Sequence, residues 1–500
     1  MSHPRFWLSA ITTACLLGTQ LSAQAAGVDP TNIPLNSQIG SLRIPLSCTF
    51  PIIGKQTLNI KLTGSMATTV TPGQQFYMTD GSGILELPQG LVDLSYNLLG
   101  ARFGNGTISE LNFAIANGTP AIINGLTAPI VVENLPIVAG QPVRMALPPT
   151  GFIQIGPLTA TNTVPSQVLV KMSSAKGVLR LLTKSGKTIL WDLGVACAAP
   201  SPEIIVLGMT VAGTHSDEVS APHTNIRTED LDAPFMTQAG SLRFPLSCNI
   251  SGLGRREVDG TFTGIAPALY APGEVFDSAT SGYGNIVLSG DTISELVGQV
   301  PAAKSASFAV TRLEFNSTNT APAQIDMAAS SPIVGADIPL VAGQRAASRI
   351  PASGFLTIGK WKALTTGTDT AMYVGRTNAT VDLKNASGQV IDTRAVACDE
   401  PTPRTTLVSV TIGGKAVVPA TVSGVLPSSG SPAGGKTVYI TGSNFTSARN
   451  VYFGSLPATS FSVVSSTLIS AVTPASPTGV VDVKVQGVGG SSTTKAYTFK

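Results

Sequence analysis

Ser41-Leu42-Arg43-Ile44-Pro45-Leu46-Ser47-Cys48 returns about 200 residues later as Ser241-Leu242-Arg243-Phe244-Pro245-Leu246-Ser247-Cys248. Working outward, Pro136-Ile137-Val138-Ala139-Gly140-Gln141 returns as Pro339-Leu340-Val341-Ala342-Gly343-Gln344, and Val195-Ala196-Cys197 as Val396-Ala397-Cys398. Gly151-Phe152 and Ile155-Gly156 match Gly354-Phe355 and Ile358-Gly359. Blocks kept in order at a near-constant offset mean one domain built twice. Thr107-Ile108-Ser109-Glu110-Leu111 also recurs, at a shorter offset, as Thr292-Ile293-Ser294-Glu295-Leu296. That makes Glu110 and Glu295 the clearest acids shared by the copies.

The duplication also chooses the cysteine partners. Cys15 falls in an amino-terminal leader, leaving Cys48 with Cys197 and Cys248 with Cys398 at the two ends of each copy. Each bond is expected to join the first strand of its copy to the last. A four-thiolate metal site is the rival, but it lacks the close C-x-x-C spacing of structural zinc sites.

Each copy reads as sheet. Ile122-Ile123, Val131-Val132, Gly177 to Leu182 and Ser307 to Val310 are short β-branched or alternating runs between Gly, Pro, Asn and Thr turns. Asn105-Gly106 and Asn117-Gly118 have hairpin-turn chemistry, because both residue types accept positive φ. No amphipathic helix pattern of 12 or more residues stands out, and 35 prolines would fragment one.

The 500 residues carry 31 basic and 28 acidic side chains, a net charge of +3, and only 12% are charged. So few Lys and Arg give no electrostatic footprint for nucleic acid. Arg5, the apolar run Phe6 to Gly18 and Ala23-Gln24-Ala25 form an export signal cleaved after Ala25. No later apolar stretch is long enough to span a bilayer as a helix, so the expected product is secreted, extracellular or at the cell surface. Gly213 to Asp232 is polar and aperiodic, and reads as a linker. His215, His223, Asp217 and Glu229 lie there, and are read as solvated side chains rather than metal ligands.

From about Lys415 the repeat stops. Lys436 to Gly442, Asn450 to Gly454 and Val480 to Val485 read as strands, the last with Val481, Val483 and Val485 on one face. Pro427-Ser428-Ser429-Gly430, Gly434-Gly435, Ile440-Thr441-Gly442-Ser443-Asn444-Phe445 and Val451-Tyr452-Phe453-Gly454 resemble the immunoglobulin-like TIG module. That resemblance implies a spacer or interaction β-sandwich without catalytic or metal residues. The two copies resemble, through Ser47 to Gln56, an uncharacterised domain of secreted bacterial proteins, chiefly actinobacterial ones, from which the second copy departs after Cys248; the resemblance implies compartment and fold but no chemistry.

Few catalytic constellations are present. Gly430 to Thr437 satisfies G-x-x-x-x-G-K-T, but it runs into a strand where a phosphate-binding loop needs a helix. Neither copy holds a histidine, and no G-x-S-x-G elbow occurs, so Ser-His-Asp hydrolysis lacks its parts. Glycoside hydrolysis needs only two carboxylates, which keeps Glu110 and Glu295 in view, with Arg43 and Arg243 as their candidate partners. The two arginines are also candidate ligand contacts repeated in both copies. Trp191 and Trp361 are candidates for a sugar-stacking platform.

These observations describe an all-β chain: a signal peptide (1–25), a first β-sandwich repeat (26–213), a polar linker (214–232), a second repeat (233–413) and a TIG domain (414–500). The expected architecture is tandem duplicated disulfide-linked β-sandwich domains followed by an immunoglobulin-like β-sandwich. The expected function is non-catalytic binding or scaffolding at a bacterial envelope, without a cofactor. Expected partners are an envelope glycan, an extracellular polymer, a surface protein or a second copy of the chain. A self-assembling coat or fibre subunit and a carboxylate-dependent hydrolase of an extracellular polymer are the alternatives.

Overall fold

The computed structural model describes residues 28–500 except 165, 213–222, 232, 414–419, 446–447, 466 and 488–489. The leader therefore lies outside the described residues, as do His215 and Asp217. The principal elements of the first copy are β1 (Ser37–Phe50), β2 (Gly54–Ala67), β3 (Gln75–Leu87), α1 (Gln89–Asn97), β4 (Phe103–Ala116), β5 (Val143–Leu147), β6 (Ser166–Leu182), β7 (Leu193–Cys197) and β8 (Ile204–Val211). The second copy repeats them as β9 (Thr237–Ile250), β10 (Gly254–Pro267), β11 (Val275–Leu288), α2 (Gly290–Gln299), β12 (Ser305–Ser317), β13 (Ala346–Ile350), β14 (Asp369–Lys384), β15 (Val390–Cys398) and β16 (Thr406–Ile412).

Along β1, Leu42, Ile44, Leu46, Cys48 and Phe50 are buried while Ser47 and Thr49 are exposed. This is the two-residue period of a strand with one face in the core. The antiparallel order in the first copy is β5-β3-β2-β1-β7-β6-β4, with β8 also on β6. The second copy gives β13-β11-β10-β9-β15-β14-β12, with β16 also on β14. Two chains of pairings with one order establish the duplication in space.

Both disulfides form as expected, Cys48–Cys197 and Cys248–Cys398, across sequence separations of 149 and 150 residues. Each links residues directly opposite one another in register. They do not reach the last strand, because β8 and β16 follow and pair farther along the same edge of β6 and β14.

The copies share a sheet. The first half of β1 pairs antiparallel with the first half of β9, from Ser37 opposite Arg243 to Arg43 opposite Thr237. Gly40 faces Gly240 at the centre, so the seam joins like to like about a pseudo-two-fold axis. The absence of side chains there has a steric cause. A Cβ on Gly240 would stand 2.9 Å from the Ile39 carbonyl oxygen, and one on Gly40 2.9 Å from a Leu207 methyl. Beyond Arg43 the strand leaves β9, and at Cys48 it meets β7. Pro45 sits in that gap, where its missing N–H costs no ladder bond, and Pro245 does the same in β9.

The segment 223–231 also departs from a free linker. His223 Nδ1 lies 3.1 Å from Asp80 Oδ1, and the Thr224 hydroxyl donates to Asp80 at 2.8 Å. Arg227 donates to the carbonyls of Gly151 (2.7 Å) and Pro148 (3.0 Å), and the Thr228 amide to Ser82 Oγ (2.8 Å). In return, Arg243 donates to the carbonyls of Thr31 (3.3 Å) and Ile33 (3.2 Å). The lead-in to each copy thus lies on the other copy.

Asn105-Gly106 is not a turn but the interior of β4, opposite Arg180 and Leu179. Asn117, at φ 57°, does make the turn expected of Asn117-Gly118.

The carboxyl-terminal domain has its own core of Val438, Ile440, Phe453, Ile469, Val483 and Tyr497. One sheet is β17 (Thr421–Leu426), β18 (Thr437–Ser443), β20 (Ser460–Ser465) and β21 (Leu468–Val472), ordered β17-β18-β21-β20. The other contains β19 (Ala448–Phe453), β22 (Gly479–Gly487) and β23 (Lys495–Phe499). Lys436 Nζ donates to the Ser429 carbonyl at 3.0 Å, and Gly434 (φ 73°) and Gly435 (φ 76°) turn the chain into β18. The phosphate-loop pattern is here a strand entry.

Candidate functional site

The singled-out residues scatter. Arg43 lies 3.8 Å from Glu86, not Glu110, and Arg243 is bound to Asp259. Glu295 pairs with Arg256 from its place on α2. Trp361 is 1% exposed in the strand Leu356–Ala363, its Nε1 donating to Ser278 Oγ at 3.1 Å, so it belongs to the core. A platform of two tryptophans therefore does not exist. Trp191 remains, 66% exposed.

Glu110 and Glu295 are not equivalent. Leu111 and Ala175 pair as Leu313 and Thr377 do, and Glu110 with Lys176 as Arg312 with Asn378. The position matching Glu110 is thus Arg312. The two acids are therefore not one feature repeated in both copies.

What the outer face of β4, β6 and β7 in the first copy carries is Glu110, Lys176, Val178, Arg180 and Asp192. Lys176, Val178 and Arg180 alternate along β6, about 13 Å from first to last at strand rise. At one end Lys176 Nζ donates to Glu110 Oε1 at 3.0 Å, and Asn112 Nδ2 to Glu110 Oε2 at 3.1 Å. At the other, Arg180 Nε and Nη2 donate to Asp192 Oδ1 and Oδ2 at 2.6 and 2.7 Å, with Trp191 next in the chain. Val178 lies between, opposite Gly194 and Thr107. The result is a low floor flanked by two charge pairs, and the exposed Trp191 precedes Asp192 in the chain.

The Lys176 hydrogen bond, then that of Asn112, holds the Glu110 carboxyl below its ordinary range. Arg180 does the same for Asp192, which in turn raises the guanidinium. Both carboxylates stay ionised as fixed acceptors. Exposed ion pairs contribute little to stability, so what this strip presents to solvent is its main physical property.

The second copy lacks it. Asn378, Thr380 and Asp382 replace Lys176, Val178 and Arg180, Thr393 donates to Asp382 at 2.7 Å, and Asp392 stands in the register of Trp191. Arg180 and Asp192 escape a reading by sequence because they meet only through the β6–β7 register. No group of three or more His, Cys, Asp or Glu side chains is placed to hold a metal among the described residues, and Glu229 lies beside Arg227 at 3.3 Å. No helix there is long and apolar enough to cross a membrane.

A search among curated proteins finds no match. Among solved structures the chain is similar to Bacteroides ovatus mixed-linkage glucan utilization locus SGBP-B in complex with a mixed-linkage heptasaccharide, at 10% identity over 51% of this chain, with a TM-score of 0.14. It is also similar to the Plexin A4 full extracellular region, at 10% identity over 87% of this chain, with a TM-score of 0.16. The chain spans 60% and 39% of those two proteins. The family model of the IPT/TIG domain matches residues 420–500. Those residues form an IPT/TIG domain, carried behind a duplicated, disulfide-bridged β unit.

Proposed function

We propose that this is an exported, non-catalytic binding protein of the bacterial envelope, whose two β-sandwich copies form one platform and whose ligand is a glycan. Export is supported by the leader pattern and by two disulfides, which persist in oxidising compartments. The carrying observation for binding is the exposed Trp191, which adjoins in the chain the Arg180–Asp192 pair at one end of the strip. An exposed indole offers a flat apolar face to a sugar ring, while the fixed Arg180–Asp192 and Lys176–Glu110 pairs offer donors and acceptors to its hydroxyls. Because only the first copy carries the strip, each chain offers one such site rather than a tandem pair.

Fluorescence tests this directly, since Trp191 is exposed and Trp361 is buried. Titration with soluble envelope and extracellular polysaccharides is expected to shift the Trp191 emission, and Trp191→Ala to weaken binding at least about tenfold, as loss of an aromatic hot spot does. Unchanged affinity in that variant would remove the strip from the reading. Release of reducing ends from any polymer would replace binding with hydrolysis.

A further inference from the structure

We infer that β20 is a self-association edge, which pairs antiparallel with the same strand of a second copy of this chain. The inference stands apart from the glycan reading. Among the described residues, the other sheet ends in the TIG domain are short or partly covered. On β17, the Thr493 hydroxyl accepts from the Val422 amide at 3.0 Å and donates to the Val422 carbonyl at 3.2 Å. The ends of the second sheet are two-residue pieces, Ser429–Gly430 and Leu456–Pro457, the latter closed by its proline. Short edges, prolines and covering groups are the usual protection of a strand edge.

β20 has none of these. Ser460-Phe461-Ser462-Val463-Val464-Ser465 holds no charge and no proline. It pairs with β21 alone among the described residues, and every residue but Phe461 is exposed, Val464 by 57%. A row of backbone donors and acceptors therefore faces outward.

The sequence of the strand fits itself. Centred on Ser462, an antiparallel copy sets Phe461 opposite Val463 and Ser460 opposite Val464. Phe461 and Val463 lie opposite the buried Ala471 and Ile469 in β21, so the inner face of one sheet would continue into the other. None of β17, β18, β20 and β21 carries a charged residue. A charged partner finds no complement there, and a second copy meets no repulsion. A six-residue edge buries little area, so the contact is weak. It is isologous, so it closes at a dimer.

Sedimentation velocity of the full chain without its leader, over micromolar to several hundred micromolar protein, reads the prediction. The wild type is expected to pass from monomer to dimer across that range. Ser462→Lys, which sets two lysines face to face, is expected to raise the dissociation constant at least about tenfold. Mixing it with Ser462→Asp should restore dimers. Near-UV circular dichroism confirms that each variant is folded. A wild type that stays monomeric, a Ser462→Lys protein that dimerises like wild type, a mixture that stays monomeric, or filaments in place of dimers would each overturn the inference.

Discussion

Asp80 is a buried carboxylate that fastens a neighbouring segment. It is 1% exposed and accepts bonds from Ser65, the Thr224 amide and hydroxyl, the Asn225 amide and His223. Burial by itself pushes its carboxyl up; the bonds from Thr224, His223 and Asn225 outweigh that and hold it below its ordinary range. A depressed folded value gives stability that is present above the unfolded value and lost as pH falls through the folded one. Asp80→Asn is expected to cost about 1–3 kcal/mol at neutral pH and to flatten the loss of stability below about pH 4. Urea unfolding at pH 7 and pH 3 would show both; an unchanged slope with pH would assign the acid sensitivity elsewhere. None of this was legible beforehand, because the segment reads as polar and aperiodic, and only the fold supplies the carboxylate that orders it.

The pentapeptide Thr-Ile-Ser-Glu-Leu is the sharpest case at the scale of elements. Residues 107–111 lie in β4 and residues 292–296 in α2. In the helix, Ile293 and Leu296 reach the core because residues three apart share a face. In the strand a register shift at Ser109 brings Ile108 and Leu111 to the same side. Identical local chemistry serves either element, so tertiary packing decides, and the equivalence of Glu110 with Glu295 fails for that reason. The helices escape a pattern search because they run only 9 and 10 residues. The long strands and both disulfides were legible, since duplication fixes partners that spacing alone leaves open. Removing one bond with Cys48→Ser and Cys197→Ser together is expected to cost about 2–5 kcal/mol, measured by urea unfolding. A loss below about 1 kcal/mol would mean that β1 and β7 stay paired without help.

Across the whole molecule, the β1–β9 seam makes the two copies one sheet while the TIG domain keeps a separate core. Calorimetry is therefore expected to show two transitions, one for residues 28–413 and one for residues 420–500. Gly240→Val drives a side chain into the Ile39 carbonyl; overpacking of this kind costs about 1–3 kcal/mol and should split the first transition in two. A single unsplit transition in that variant would show that the seam contributes nothing to cooperativity. The seam was not legible, because the sequence announces a repeated unit without saying that its first strands meet.

A like-to-like contact held within one polypeptide has a further effect. In a dimer of identical subunits every substitution occurs twice, so the symmetry of its surface cannot be broken. Here Trp191 and Arg180 belong to one half, and Asp392 and Asp382 occupy the corresponding places in the other. Covalent fusion lets each half specialise while both retain the shared frame, so the chain behaves as a heterodimer encoded as one protein.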